Sequence, residues 1–392
     1  MKKNTILILL ALLSLYTQAQ DFKSDNVHYQ TISWKDFFKR LEANPKLVYF
    51  DIRSEGERTD SAKSPAFNQG KLRGALETDF SLFEKYYPEY LKYKHDTIYL
   101  YCSHSKRSRH LAKRLADSSF VNVVNINGGL SHLNSLSENE IPYKRKYYEN
   151  NLKYKLVSPP EFIKALNDKN YQILDIRPDS TFLGLAKLEQ KNGFGNIHSA
   201  LHIPSEDLEE NLNLLNKNKT ILLFDNDGNQ SPAAANFLND LGYKTNVLIF
   251  GLENIIRSSP RNERTFLETK YQMILPEDLQ EISSKNSDLI LIDIREESEF
   301  NGTEKVFYKN IGKLKNAVNI PLTSLNRERM NEIADKTIVI YDRMMQEDLF
   351  TFAKRCKEYG ITDLYLLSGG ISQLLEYIYD YQKVELKSLL AD

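Results

Sequence analysis

One cysteine stands where an apolar run gives way to a cationic loop, in Thr97-Ile-Tyr-Leu-Tyr-Cys-Ser-His-Ser-Lys-Arg-Ser-Arg109. The run Ile98 to Tyr101 has β character, and a helical pattern starts near Ser108. Between them lie Ser103, His104, Ser105, Lys106 and Arg107. In a tight loop ahead of a helix the backbone N–H groups have no intrahelical partners, so they converge on the centre, and the helix dipole adds positive character. Lys106, Arg107 and Arg109 reinforce that field. A thiol ionises more easily in such a cup and the thiolate is the reactive form, which makes Cys102 a candidate nucleophile.

The elements that must position this thiol occur three times. Apolar runs end in the same signature at Leu47-Val-Tyr-Phe-Asp-Ile-Arg53, Gln172-Ile-Leu-Asp-Ile-Arg177 and Leu289-Ile-Leu-Ile-Asp-Ile-Arg295. About fifty residues after each Asp, a second run ends at Cys102, Asp225 and Asp342. Between the two runs lie Gly70-Lys-Leu-Arg-Gly-Ala75, Gly195-Asn-Ile-His-Ser-Ala200 and Gly312-Lys-Leu-Lys-Asn-Ala317. A third run ends in glycine at Gly129, Gly251 and Gly370. Ser33 and Ser158 are plausible caps of the short opening helices. Near-continuous apolar strands alternating with helices predict an α/β fold of three tandem units, each a doubly wound parallel sheet with helices on both faces. Ligands of such sheets sit beyond the carboxyl ends of the strands, where Cys102 lies.

The chain has 392 residues, with 52 Lys and Arg against 53 Asp and Glu. The balance of charge gives no reason to expect a nucleic-acid partner, and any functional charge is local. Lys2 and Lys3, the apolar run Ile6 to Leu15 and the small residues near Ala19 describe a secretory signal peptide over 1–20, too short to span a bilayer. The expectation is therefore an exported chain, periplasmic or secreted, with no integral membrane segment after cleavage. The units are placed at 21–148, 149–268 and 269–392. Cys102 and Cys356 fall in different units, so no disulfide framework follows; Cys356, in a helical pattern ending at Gly360, is expected in the core.

Together the Asp-Ile-Arg strand end, the Gly-x-[Leu/Ile]-x-x-Ala turn, the Cys-ended central strand and the late Gly-Gly resemble the rhodanese family of sulfurtransferases, across essentially everything after residue 20. The active loop of many single-unit members looks like Cys-x-x-Gly-x-Arg-Ser; here Ser105 fills the glycine place, where positive φ is less comfortable for serine. The resemblance implies transfer of sulfane sulfur from a small sulfur-containing anion such as thiosulfate, or from a persulfide, through a persulfide on Cys102 to a thiol or cyanide acceptor, protein thiols included, with no cofactor and no metal. Residues 103 to 108 would bind the substrate: Ser103, His104, Ser105, Lys106, Arg107 and Ser108. Cationic loops such as this go with thiosulfate rather than mercaptopyruvate use in the family. Asp225 and Asp342 stand where a nucleophile would be, and the second and third units are expected to be inactive.

Asp51 and Arg53 read as structural support, because the same pair recurs at Asp175/Arg177 and Asp293/Arg295. His104 reads equally as a tuner of the thiolate and as a solvent-facing loop residue. Two other readings remain open. A cysteine phosphatase needs five residues between cysteine and arginine to enclose a phosphate, whereas four separate Cys102 from Arg107 and six separate it from Arg109. A non-catalytic scaffold or persulfide carrier is the other, since two of three units lack the nucleophile.

Overall fold

The computed structural model describes residues 28–306, 309–379, 381 and 383–391. The signal-peptide expectation for 1–20 lies outside them. Each unit is built on a five-stranded parallel sheet flanked by helices. In unit 1 the order is Gln30–Ile32, Asn122–Ile126, Thr97–Tyr101, Val48–Asp51, Leu76–Glu77. Unit 2 runs Lys155–Val157, Lys244–Leu248, Thr220–Phe224, Tyr171–Asp175, Leu201–His202, and unit 3 runs Gln272–Ile274, Leu364–Leu367, Thr337–Tyr341, Leu289–Asp293, Val318–Asn319. The crossovers through helices are what an all-parallel sheet requires.

Register aligns the strand ends that matter. Asp51 pairs with Tyr101, Asp175 with Phe224 and Asp293 with Tyr341. Each Asp-Ile-Arg corner therefore stands beside the residue that precedes Cys102, Asp225 or Asp342. Side-chain alternation along Thr97–Tyr101 sends Tyr99 and Tyr101 to one face, against Trp34, Phe37 and Phe38, and Ile98, Leu100 and Cys102 to the other, against Leu111, Ala112 and Leu115. Burying each such large apolar side chain contributes about 2 kcal/mol. Trp34 also donates its indole N–H to the Gly129 carbonyl at 2.7 Å, tying the first helix, Trp34–Ala43, to the late glycine turn.

The chain after each unit returns to its own Gly-x-Leu turn in an antiparallel pairing: Leu72 with Tyr148, Ile197 with Leu267 and Leu314 with Leu390. Units 2 and 3 share one continuous apolar cluster, in which the Phe194 and Phe350 rings meet edge to face at 5.8 Å. Cys356 is buried in that cluster and burial pushes its thiol up to about 12. Polar pairs between unit 1 and the others include Asn254 to Ser135 at 2.9 Å, Asn127 to Glu376 at 3.5 Å and Tyr381 to His132, and a ring contact described below joins them. Among the described residues no helix is long and apolar enough to cross a membrane.

Candidate active site

The loop after Tyr101 turns at Ser105, whose φ is +68°, and the helix that follows is Lys106–Asp117, so it starts two residues earlier than the sequence pattern suggested. Left-handed backbone costs a non-glycine residue about 1 kcal/mol. The third residue after Asp225 is Gly228 at +76°, and the third after Asp342 is Met345 at +63°. All three loops thus turn at the same place, including the third, whose side chains had lost nearly every feature of the pattern. What holds Ser105 there is Asn125 on the neighbouring strand. Its amide donates to Ser105 Oγ at 3.0 Å, and its carbonyl oxygen accepts from Ser108 Oγ at 2.7 Å. Sequence reasoning missed Asn125, which sits in an otherwise apolar strand and carries no loop signature.

Cys102 is only 1% exposed, at the inner end of a cleft of about 1100 Å³. Ser108 Oγ lies 3.6 Å from its Sγ. The opposite wall comes from the segment after the Asp-Ile-Arg corner, with Glu57, Ala62, Lys63, Pro65 and Phe67. Arg107 does not stand free in this cleft. Its guanidinium forks onto Glu57 at 2.7 and 2.6 Å and donates to Ser103 Oγ at 2.9 Å. Burial pushes the Glu57 carboxyl up, but the hydrogen bonds and charge of Arg107 outweigh it and hold the group below the usual carboxylate range. Glu57 also accepts from the Ser54 N–H at 3.1 Å in a capping box. Sequence reasoning singled out neither Ser54 nor Glu57; a Ser-x-x-Glu spacing is a capping-box signal, but nothing local signals the pairing of Glu57 with Arg107 fifty residues on. Lys106 and Lys63 are exposed, with no carboxylate partner among the described residues.

His104 donates to or accepts from Ser103 Oγ at 3.0 Å. His104 is exposed at the cleft surface, as a solvent-facing loop residue would be; the protein mass around it still holds its pKa below the usual value, with repulsion from Arg107 adding to the effect. Asp51 and Arg53 lie wholly buried behind the loop: the Arg53 guanidinium meets both Asp51 oxygens at 2.9 and 2.7 Å and donates to the Gly70 carbonyl at 2.7 Å. The pair clamps the strand end to the Gly-x-Leu turn. It recurs at Asp175/Arg177 and Asp293/Arg295, both at 2.6 Å, in units without the cysteine.

The other two loops show what the cup holds when a carboxylate replaces the thiol. Asp225 accepts from the N–H groups of Gly228, Gln230 and Ser231, the last two at 2.5 and 2.9 Å. Asp342 accepts from Met344, Met345 and Gln346 at 3.0, 2.5 and 2.6 Å. Burial raises both carboxyls, Asp342 to about 6, against the pull of those amides. Each cup is closed from behind by the late glycine. Leu130 and Ser131 donate to the Cys102 and Ser103 carbonyls at 3.0 and 2.9 Å, and equivalent bonds run to Asp225/Asn226 and Asp342/Arg343. A Cβ on Gly129 would stand 2.4 Å from the Cys102 carbonyl oxygen, which excludes any larger residue. Among the described residues no group of three His, Cys, Asp or Glu side chains is arranged to hold a metal ion.

The model of the rhodanese-like domain matches the chain three times, over residues 34–135, 158–255 and 275–376. Similar solved structures include a rhodanese-related protein from Thermoplasma volcanium, 25% identical over 26% of this chain and 91% of that one, with a TM-score of 0.22. A rhodanese-like domain protein from Staphylococcus aureus is 24% identical over 30% of this chain and 98% of its own, with a TM-score of 0.23. A thiosulfate sulfurtransferase from Pseudomonas aeruginosa is 13% identical over 88% of this chain and 65% of its own, with a TM-score of 0.22. No curated protein matches the chain. The three sheets, their repeated loops and the three matches lead to one conclusion: the chain belongs to the rhodanese-like family, as three tandem rhodanese-like domains.

Proposed function

We propose that the protein is a sulfurtransferase in which Cys102 carries the sulfur and the second and third domains carry none. The observation that supports this most is the comparison of the loops. In Asp225 and Asp342 a carboxylate oxygen, two bonds from Cβ, sits on the backbone amides of its cup. The thiol of Cys102 is one atom shorter. A second sulfur bonded to Sγ also lies two bonds from Cβ and bears the negative charge, so a Cys102 persulfide has the reach and charge to meet the amide donors that the sister loops direct at a carboxylate.

In the forward step the Cys102 thiolate attacks the outer sulfur of thiosulfate. The new S–S bond forms as the bond to the sulfonate sulfur breaks, and sulfite leaves with the electron pair. A thiolate acceptor or cyanide then takes the outer sulfur and returns Cys102 as thiolate. Lys106 and Lys63 attract the dianion at the cleft mouth, while Arg107, held by Glu57, fixes Ser103 and the loop path. The loop amides hold the persulfide; loss of one donor in comparable anion sites costs about 3 kcal/mol. An exported location, resting on residues 1–20, is part of the same reading.

Purified protein supplied with thiosulfate and cyanide is expected to form thiocyanate, and Cys102→Ser to form none. Release of phosphate from an aryl phosphate by the wild type, without thiocyanate, would instead favour the phosphatase reading. Thiocyanate formed in full by Cys102→Ser would overturn Cys102 as the sulfur carrier, and none formed by the wild type would leave a non-catalytic scaffold.

A further inference from the structure

The second domain has no nucleophile, yet one of its residues reaches the Cys102 loop. Phe250 occupies the position that is glycine in both sister domains, Gly128 at φ +70° and Gly369 at +63°, and it keeps their left-handed backbone at +56°. A bulky aromatic residue is a poor choice for that conformation. Its ring lies 5.4 Å from the His104 ring, tilted at 58°. On the other side of the cleft, the helix Ser231–Asp240 of the second domain packs on Pro65–Phe67, part of the opposite wall.

We propose that Phe250 is a positioning residue for the Cys102 site, holding His104 in place through an inter-domain ring contact. The contact is anchored in the filled cup of the second domain. Asp225 accepts from the Gly228 N–H, and Gly228 lies so close beneath Phe250 that a Cβ there would meet the Phe250 Cα at 2.7 Å. The backbone of Gly251 is in turn seated on the Asp225 and Asn226 carbonyls. A chain of contacts therefore runs from the Asp225 carboxylate through Gly228 and Phe250 to His104, then to Ser103 and Arg107. This gives the carboxylate-filled cup a purpose in a domain that cannot carry sulfur: it fixes the turn that presents the ring. It also accounts for a strained residue where the sister domains use glycine, because glycine has no ring to present. The inference rests on the proposed reading of Cys102 for its catalytic consequence, but not for the contact itself.

The test is the titration of His104 followed by NMR in the full chain, in Cys102→Ser protein so that no sulfur chemistry intervenes. Arg107 and Glu57 are the charged groups that act on this ring, and both are kept. His104 is expected to titrate below its usual value, and Phe250→Gly to move it upward, because part of the packing that disfavours the charged ring is gone. Phe250→Tyr is expected to restore it. Melting of Phe250→Gly is expected at or above that of the parent, since glycine relieves the backbone. In the Cys102 protein, Phe250→Gly is expected to raise KM for a thiol acceptor at least threefold with a smaller change in kcat, and Phe250→Tyr to reverse it. A His104 titration unmoved by Phe250→Gly, or moved equally by Phe250→Tyr, overturns the proposal. Absence of sulfur on Cys102 would overturn the sulfurtransferase reading and leave the titration result standing.

Discussion

Arg107 and Glu57 form a two-pronged pair across the Cys102 cleft, at 2.7 and 2.6 Å, between the loop and the opposite wall. Arg107 is therefore a strut as well as a cation. Glu57 is 8% exposed and Arg107 30%, so the carboxylate is the more costly partner to strand. Arg107→Gln is expected to lower stability by about 3 kcal/mol at pH 7. The folded pKa of Glu57 is depressed, so its contribution is present above the unfolded carboxylate value and lost as pH falls through the folded one. The gap between wild type and variant in urea unfolding should accordingly narrow on acidification; a gap that widens would refute the pairing as a source of stability.

Glu57→Gln keeps a polar partner for Arg107 and removes a negative charge from the cleft. Thiosulfate should then bind more tightly, by about 1 kcal/mol or roughly fivefold in KM at low salt, fading as salt screens the site. Steady-state kinetics at two ionic strengths decide it: an unchanged or higher KM would mean that the carboxylate does not oppose the donor.

Ser105 carries a backbone strain that the Asn125 bond offsets. Ser105→Ala keeps the strain and loses the bond, and is expected to cost about 1 to 2 kcal/mol. Ser105→Gly loses the bond but relieves the backbone, and should stay within about 1 kcal/mol of wild type. Thermal melts that rank glycine below alanine would show that the left-handed backbone at Ser105 carries no strain for glycine to relieve.

Asp342 and His132 should bias stability in opposite senses. Burial raises Asp342 from 3.8 to about 6, so its contribution is fully present below about pH 4 and is lost as pH rises through 6, on the order of 3 kcal/mol in all. Asp342→Asn should remove that decline. His132, half-buried and hydrogen-bonded to Tyr381 of the third domain, is lowered by desolvation from 6.5 to about 4. Its contribution is present above pH 6.5 and is lost as pH falls towards 4; His132→Gln should remove that loss. Calorimetry of the two variants against wild type from pH 4 to 7 reads both signs, and a shared sign would contradict the assignment.

The repeated landmarks made the three sheets legible, because Asp-Ile-Arg, the Gly-x-Leu turn and the late glycine each answer a local backbone demand that recurs in every domain. Cys102 and its loop were legible for the same reason. What the chain did not disclose is the set of partners that only folding brings near. Glu57 reaches Arg107 from fifty residues away, Asn125 reaches Ser105 from twenty, and Phe250 crosses a domain boundary to His104. The third loop misled in another way: its side chains had diverged while Met345 kept the left-handed turn and Asp342 kept the amides. Backbone geometry outlasted the residues that usually signal it.

The most direct measurement is the intact mass of the purified protein after brief exposure to thiosulfate, with the modified residue located by fragmentation. The account predicts a gain of one sulfur atom, on Cys102, absent from Cys102→Ser and discharged by cyanide. No gain in the wild type, or the same gain in Cys102→Ser, would contradict it.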